Sequence, residues 1–162
     1  MKVVINSTPL IALSIVNKLT LHKDIFDEIY VPEAVYDEVV IQGKGLSGAD
    51  EVKSAHWIII KKLCDKITLD PAFVGLDRGE VEVLLLAQEI SADWVIMDER
   101  LARQVGKTIG LQVKGTLGIL LTGYYAGLIS QDEALQAAYQ LRNSSVRISK
   151  RLLQWFQKEL II

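Results

Sequence analysis

Short, wholly apolar runs alternate along this chain with longer stretches whose apolar residues recur every three or four positions, the pattern of buried strands joined by helices. Lys2–Ile5 is the first run, its Val3-Val4-Ile5 predicting a strand covered on both faces in a parallel sheet. It stops at Asn6-Ser7-Thr8-Pro9, after which Leu10, Ile11, Leu13, Ile15, Val16 and Leu19 continue at helical spacing. Pro9 is tolerated there because the first helical turn needs no donor from it. A second apolar piece over 25–31 ends at Pro32, which opens a helix over Glu33 to Val40. Gly43, Gly45 and Gly48 mark a flexible loop over 42–48, and 50–55 predicts a short helix ahead of a strand over 57–60. Residues 65–77 are irregular.

The most telling stretch follows. Gly79-Glu80-Val81-Glu82 opens an apolar helix that runs to Glu89, Ser91-Ala92-Asp93 turns the chain, and the strand Trp94-Val95-Ile96-Met97 delivers Asp98. Beyond it, 100–109 predicts a helix ended by Gly110, 111–113 a short strand, and Gly115-Thr116 the start of a helix through Tyr125. Ser130-x-x-Glu133 is a capping-box pattern for a helix reaching Leu141, and Ser149 caps a last amphipathic helix over 150–160 carrying Leu152, Leu153, Trp155, Phe156 and Leu160.

Strands alternating with helices through short turns imply a mostly parallel sheet with helices on both faces, and such sheets bind ligands at the carboxyl ends of their strands. Asn6 and Asp98 fall at two such ends, Glu80 begins the helix before the second, and Glu38 lies on a helix able to lean over the same edge. Carboxylates gathered there repel one another unless a cation sits between them, and oxygen-rich sites favour Mg²⁺ or Mn²⁺. Plainer roles are open to each residue. Glu80 suits a helix N-terminus, Asn6 and Asp98 suit N-caps, and Glu38 suits an exposed helix face. Glu82, two positions from Glu80, points away from it and toward solvent. His22 and His56 have no partner at metal or triad spacing.

Composition narrows the picture further. The chain has 162 residues, half of them hydrophobic and 23% charged, which suits one domain with an ordinary core over 1–162, the part from 128 to 162 forming a helical extension. Its net charge of −2 means that a nucleic acid would need a local basic surface, and Arg100, Arg103 and Lys107 on one helix supply a candidate. Cys64 stands alone, as a small buried hydrophobe, which excludes an internal disulfide and fits a reducing cytoplasm. The start of the chain does not read as a signal peptide, and no apolar run approaches the roughly 20 residues that span a bilayer. A phosphatase-like α/β hydrolase using Asp98 as an acid is a more distant alternative, ranked far below for want of a Gly-x-Ser-x-Gly nucleophile motif.

The order strand-Asn6-Ser7-Thr8-Pro9-Leu10-Ile11, Val31-Pro32-x-x-Val35-x-x-Glu38, Leu76-Asp77-x-Gly79-Glu80-x-Glu82, Asp98-Glu99-x-x-Ala102-Arg103 and Val113-x-Gly115-Thr116-Leu117-Gly118 resembles the PIN-like domains of the DUF3368 group, relatives of VapC-type toxin nucleases. The resemblance runs nearly end to end and is least distinctive after Gly127. It implies a three-layer α/β/α sandwich with a mostly parallel central sheet, and a Mg²⁺- or Mn²⁺-dependent ribonuclease, commonly a homodimer restrained by a small antitoxin protein. The family's acids fall on Glu38, Glu80 and Asp98, implied as metal ligands and, with Asn6, as the catalytic set. Ser7 and Thr8 are implied as positioning hydroxyls, with Arg100, Arg103 and Lys107 along the RNA backbone. Asn6 stands where the family usually has Asp, keeping a carbonyl ligand but losing one charge. Two functions therefore follow: a toxin-type ribonuclease, or a PIN-like binding or regulatory protein in which Asn6 marks weakened or lost catalysis.

Overall fold

The computed structural model describes residues 1–64 and 71–161. Among these, β1 (Lys2–Ile5), β2 (Glu28–Pro32), β3 (Ile58–Lys61), β4 (Trp94–Ile96) and β5 (Val113–Lys114) form one parallel sheet. They lie in the order β3-β2-β1-β4-β5, so the chain winds outward in one direction, returns past the middle, and winds outward in the other. In β1, Val4 pairs with Tyr30 of β2 on one side and Val95 of β4 on the other, and Val3, Val4 and Ile5 are fully buried. An unbroken apolar run is what a strand in this central position requires, since both of its faces are covered.

The helices are α1 (Ser7–Ile15), α2 (Leu21–Ile25), α3 (Glu33–Tyr36), α4 (Ala49–Ser54), α5 (Arg78–Glu89), α6 (Arg100–Thr108), α7 (Thr116–Tyr125), α8 (Gln131–Arg142) and α9 (Lys150–Ile161). Parallel neighbours require crossover connections, and helices of this chain supply them. α5 lies across β1, β2 and β4, while α7 returns to pack against α1 and α2 and then carries α8 and α9. Together these make a three-layer α/β/α arrangement. Among the described residues, no helix is long and apolar enough to cross a membrane.

Several expectations need correction. The first helix ends at Ile15, short of Leu19, because Asn17 turns the chain with a left-handed φ of 56°. The strand expected over 111–113 is only Val113–Lys114, since Gly110, at φ 89°, lets the Leu111 amide donate back to the Gly106 carbonyl at 2.9 Å and close α6. Cys64 is exposed rather than buried, just past edge strand β3. Glu82 is buried, not solvent-facing: its carboxylate accepts from the Arg78 guanidinium at 3.0 Å, one helical turn away, so the acid is paired within while the arginine reaches into water. The expected irregular segment includes residues 65–70, outside the described residues, and a 3₁₀ turn over Pro71–Phe73.

The helix after Pro32 carries a feature its periodicity does not disclose. After Tyr36 it widens into a π-helical turn, Asp37–Gln42, which holds Glu38. The turn needs Gly43 behind it, where a Cβ would sit 2.4 Å from the Val39 carbonyl oxygen. Insertions of this kind recur at functional sites.

Both halves of the Ser130–Glu133 capping box form, and Lys18 reaches Glu133 at 2.8 Å, tying the end of the α1 segment to α8. The Lys18 ammonium and the Ser130 amide hold the Glu133 carboxyl down to about 2, from 4.5. A depressed carboxylate contributes stability above its unfolded value and loses it as pH falls toward its folded one. Glu133→Ala should therefore lower the Tm at pH 6, with the gap from the native protein closing between about pH 4.5 and 2; a gap constant over that window would show that the carboxylate's charge adds nothing.

Candidate active site

The winding reverses between β1 and β4, and their carboxyl ends flank the crevice that such a reversal opens. Asn6 follows β1 directly, and its amide donates to the Ile96 carbonyl at 2.9 Å, fixing it beside the end of β4. The side chain does not cap α1, contrary to the plainer expectation: no cap bond forms, and its Oδ1 is buried without a hydrogen-bond partner. A buried carbonyl oxygen left unpaired is costly, and in a native site it marks a place for a water or a cation.

Glu38 and Glu80 are brought to this edge from the β2 and β4 sides. Gly79 lies beside the first: a Cβ there would stand in ordinary contact, 3.4 Å from Glu38 Oε2 and 3.5 Å from Asp77 Oδ1. Glu38 is an exposed residue, as its helix face suggested, yet partial desolvation raises its carboxyl above the ordinary range, the Asp77 charge adds to the rise, and the Ser7 hydroxyl acts the other way. Glu80 is buried at the N-terminus of α5, where it closes a capping box with Asp77. The Glu80 amide donates to Asp77 Oδ1 at 2.8 Å, and the Asp77 amide to Glu80 Oε2 at 3.0 Å. This is the helix-terminus role foreseen for Glu80, and it leaves the other carboxylate oxygen for further work. Burial raises the Glu80 carboxyl most, the Asp77 amide opposes it, and the charges of Asp77, Glu99 and Glu38 raise it further.

Asp98 sits on the other side and is not the N-cap of α6, a position Glu99 takes. Its Oδ1 accepts from the Thr116 amide at 2.8 Å and its Oδ2 from the Thr116 hydroxyl at 2.6 Å, binding the end of β4 to the start of α7. Burial raises the Asp98 carboxyl; the two Thr116 bonds and the Arg103 charge pull the other way. Gly115 is obligatory here for space, not backbone shape: a Cβ would lie 2.8 Å from Asp98 Oδ1 and 3.0 Å from an Arg103 guanidinium nitrogen.

The structure thus brings Glu38 to Asp77 on one flank and Asp98 to Arg103 and Thr116 on the other, with Glu80 under the charges of Glu38 and Glu99 between them. Among the described residues, no group of three or more His, Cys, Asp or Glu is arranged to hold a metal ion. The donors present are nonetheless all hard oxygens, one of them the orphaned Asn6 carbonyl, and each carboxylate oxygen keeps a lone pair, so the set fits Mg²⁺ or Mn²⁺ and no soft metal. Arg100, Arg103 and Lys107 line one cavity of about 480 Å³ together with Asp98, and Thr8 lines a neighbouring one of about 400 Å³ with Asp98, Glu99 and Arg103. Asp77, Glu99 and Thr116 are additions to the residues expected. The Asp-x-x-Glu spacing of a capping box was a readable signal for Asp77; Thr116 had none beyond its place at a strand end.

A parallel sheet that reverses at its centre, helices on both faces and acids along the carboxyl edge define an α/β/α protein with a hard-oxygen polar site. The chain belongs to the DUF3368 family, a PIN domain, whose family model matches residues 2–160. That membership sets its general class as nuclease-like. Comparison with curated proteins and with solved structures gave no match.

Gly115→Ala should cost about 1–3 kcal/mol through the collision with Asp98 and Arg103, as overpacking does. Gly118→Ala, whose Cβ would meet nothing closer than 3.6 Å, should be neutral or stabilising by up to about 1 kcal/mol. Urea unfolding of the two variants checks the contrast, and equal costs would contradict the packing described. Thr116→Val removes the hydroxyl that helps keep Asp98 charged, so the Asp98 carboxyl rises further. A group with a raised folded pKa loses its contribution as pH rises through that value, so the variant's deficit should be larger at pH 8 than at pH 4, by about 1–3 kcal/mol. The same titration read at both pH values tests this, and a deficit independent of pH would remove the hydroxyl's electrostatic role.

Proposed function

We propose that this protein is a Mg²⁺- or Mn²⁺-dependent ribonuclease, the toxin component of a VapBC-like toxin–antitoxin module, which hydrolyses RNA phosphodiesters in the cytoplasm. The observation that carries the reading is the unpartnered, buried Asn6 Oδ1 at the same strand edge as Glu38, Glu80 and Asp98, whose carboxyls are all raised by desolvation. Such a set is incomplete without a positive charge. Glu38, Glu80 and Asp98, with the Asn6 carbonyl, would hold the cation. When bound, the ion supplies Lewis-acid neutralisation of phosphate charge and lowers the pKa of water.

The chain's own residues do the rest. The capping box with Asp77 fixes the Glu80 carboxylate, and Thr116 fixes that of Asp98, so neither needs to be ordered when substrate arrives. Ser7 and Thr8 offer hydroxyls to the phosphate or to ordered water. Arg100, Arg103 and Lys107, facing the cavity that holds Asp98, carry the RNA backbone past it. A small antitoxin partner and a homodimer belong to the same reading and rest on family membership.

A second reading, a PIN-like binding or regulatory protein, is favoured by two observations: Asn6 brings no charge, and both Asp98 oxygens are already engaged by Thr116. Cleavage of a mixed RNA pool in Mn²⁺ separates the two. The ribonuclease reading expects the native protein to cut, and Asp98→Asn to cut slower by about 100-fold or more, since even outer partners of a metal are worth about 10–100-fold. Cutting by Asn6→Asp alone would identify a nuclease disabled by one missing carboxylate, and no cutting by any of the three would favour the binding role.

A further inference from the structure

Residues 143–149 join α8 to α9, and this strap reaches the site at Asp98. Val146, Arg147 and Ile148 help to line the cavity of about 400 Å³ that also holds Thr8, Asp98 and Glu99. The C-terminal helices thus contribute a wall to the site, with residues that have no part in the cleavage scheme. Serines fix the strap at both ends. The Ser144 hydroxyl donates to the Leu141 carbonyl at 2.7 Å and accepts from the Val146 amide at 3.1 Å, so the chain turns as soon as α8 ends. Ser149 Oγ accepts from the Leu152 amide at 3.1 Å and caps α9. Val146 and Ile148 are half-buried against the core, while Arg147 between them is exposed at the cavity. The apolar neighbours anchor the backbone and leave the guanidinium on the cavity wall.

Asp98 and Glu99 line the same cavity, yet among the described residues Arg147 forms no ion pair with either. The positive charge that acts on Asp98 is that of Arg103. Arg147 is therefore not the counter-charge of these acids. The cavity of about 480 Å³ meets this one at Asp98 and Arg103, and Arg100 and Lys107 stand on its wall. Basic side chains thus occur in both cavities that meet at Asp98, on α6 in one and on the strap in the other. Cations spread over two adjoining cavities suit an extended polyanion, because each can meet a different phosphate along the strand. We propose that Arg147 holds a backbone phosphate of the RNA, so that the strand crosses Asp98 between the basic face of α6 and the strap. The proposal rests on the ribonuclease reading and adds to it a binding residue and the path of the substrate. A contact to a phosphate other than the scissile one is made alike in ground and transition states, so it lowers KM and leaves kcat unchanged.

The test uses the full chain. In EDTA, where binding is read without cleavage, fluorescence anisotropy follows a 5′-fluorescein hexa-uridylate RNA and its uncharged methylphosphonate analogue across a salt series. Arg147→Gln should weaken RNA binding about tenfold and reduce the slope of log affinity against log salt by about 0.7–1, with the analogue bound as by native protein. Arg147→Lys keeps the charge and should keep the slope. Arg142→Gln, at the exposed end of α8 and outside both cavities, should match native protein. Arg147 is exposed, so its variants should keep the native Tm. In Mn²⁺, Arg147→Gln should raise KM about tenfold at unchanged kcat. An unchanged slope in Arg147→Gln would overturn the proposal, as would an equal loss on both strands, an equal loss in Arg142→Gln, or a fall in kcat at unchanged KM. Native protein that does not cut in Mn²⁺, while the slope still depends on Arg147, sinks the ribonuclease reading and upholds the phosphate contact. Native protein that cuts while the slope ignores Arg147 sinks the contact alone.

Discussion

The pairing of β1 with β4 is the constraint from which the site follows. β1 could have been an edge; instead β4 returns across the sheet and pairs with it, Ile5 beside Ile96, and the sense of winding reverses at that seam. The next residue's amide extends the pairing, so Asn6 is held at the seam's carboxyl end with its side-chain carbonyl buried. Everything polar at this edge is then placed from behind by apolar structure: Glu80 by the start of α5, Asp98 by the end of β4, Glu38 by the π-helical turn. The unbroken apolar run of β1 is thus both a folding signal and the reason the polar residue after it is buried at the seam's carboxyl end.

The acids at this edge are stabilised individually and destabilised collectively. Asp77 and Thr116 give Glu80 and Asp98 fixed hydrogen bonds, each of the kind that favours a charged carboxylate. Yet burial wins at both, and neighbouring acids act in the same direction, so their carboxyls stay above the usual range. Local bonds that hold a carboxylate in place while its surroundings disfavour its charge are the signature of a site built for something positive. Among the described residues, Arg78 is turned to Glu82, and the Arg103 charge acts on Asp98.

Much of this was legible in the residues alone, and the reasons are particular. The first strand, the capping box at Ser130 and the helix starting at Thr116 were readable because local rules and tertiary packing agree there. Glu82 was not, because the rule that residues two apart on a helix diverge says nothing about what covers each face; α5 is buried on more than one side, and an ion pair one turn away permits an acid within. Cys64 defeated a residue-type average, since its exposure is decided by its place after an edge strand. The convergence of Glu38, Glu80 and Asp98 was read from order along the chain, whereas their division into two flanks depends on which oxygens Thr116 and Asp77 engage, and no spacing discloses that.

The claim most exposed to test is that this edge takes a divalent cation. Electron paramagnetic resonance of Mn²⁺ titrated with native protein reads the free ion directly, beside Glu38→Gln, which alters an exposed residue, and Asn6→Asp, which adds a charge. The account predicts that native protein removes the free-ion signal, Glu38→Gln removes less, and Asn6→Asp removes more. A native protein that leaves millimolar Mn²⁺ free, or three proteins that bind it alike, would contradict it.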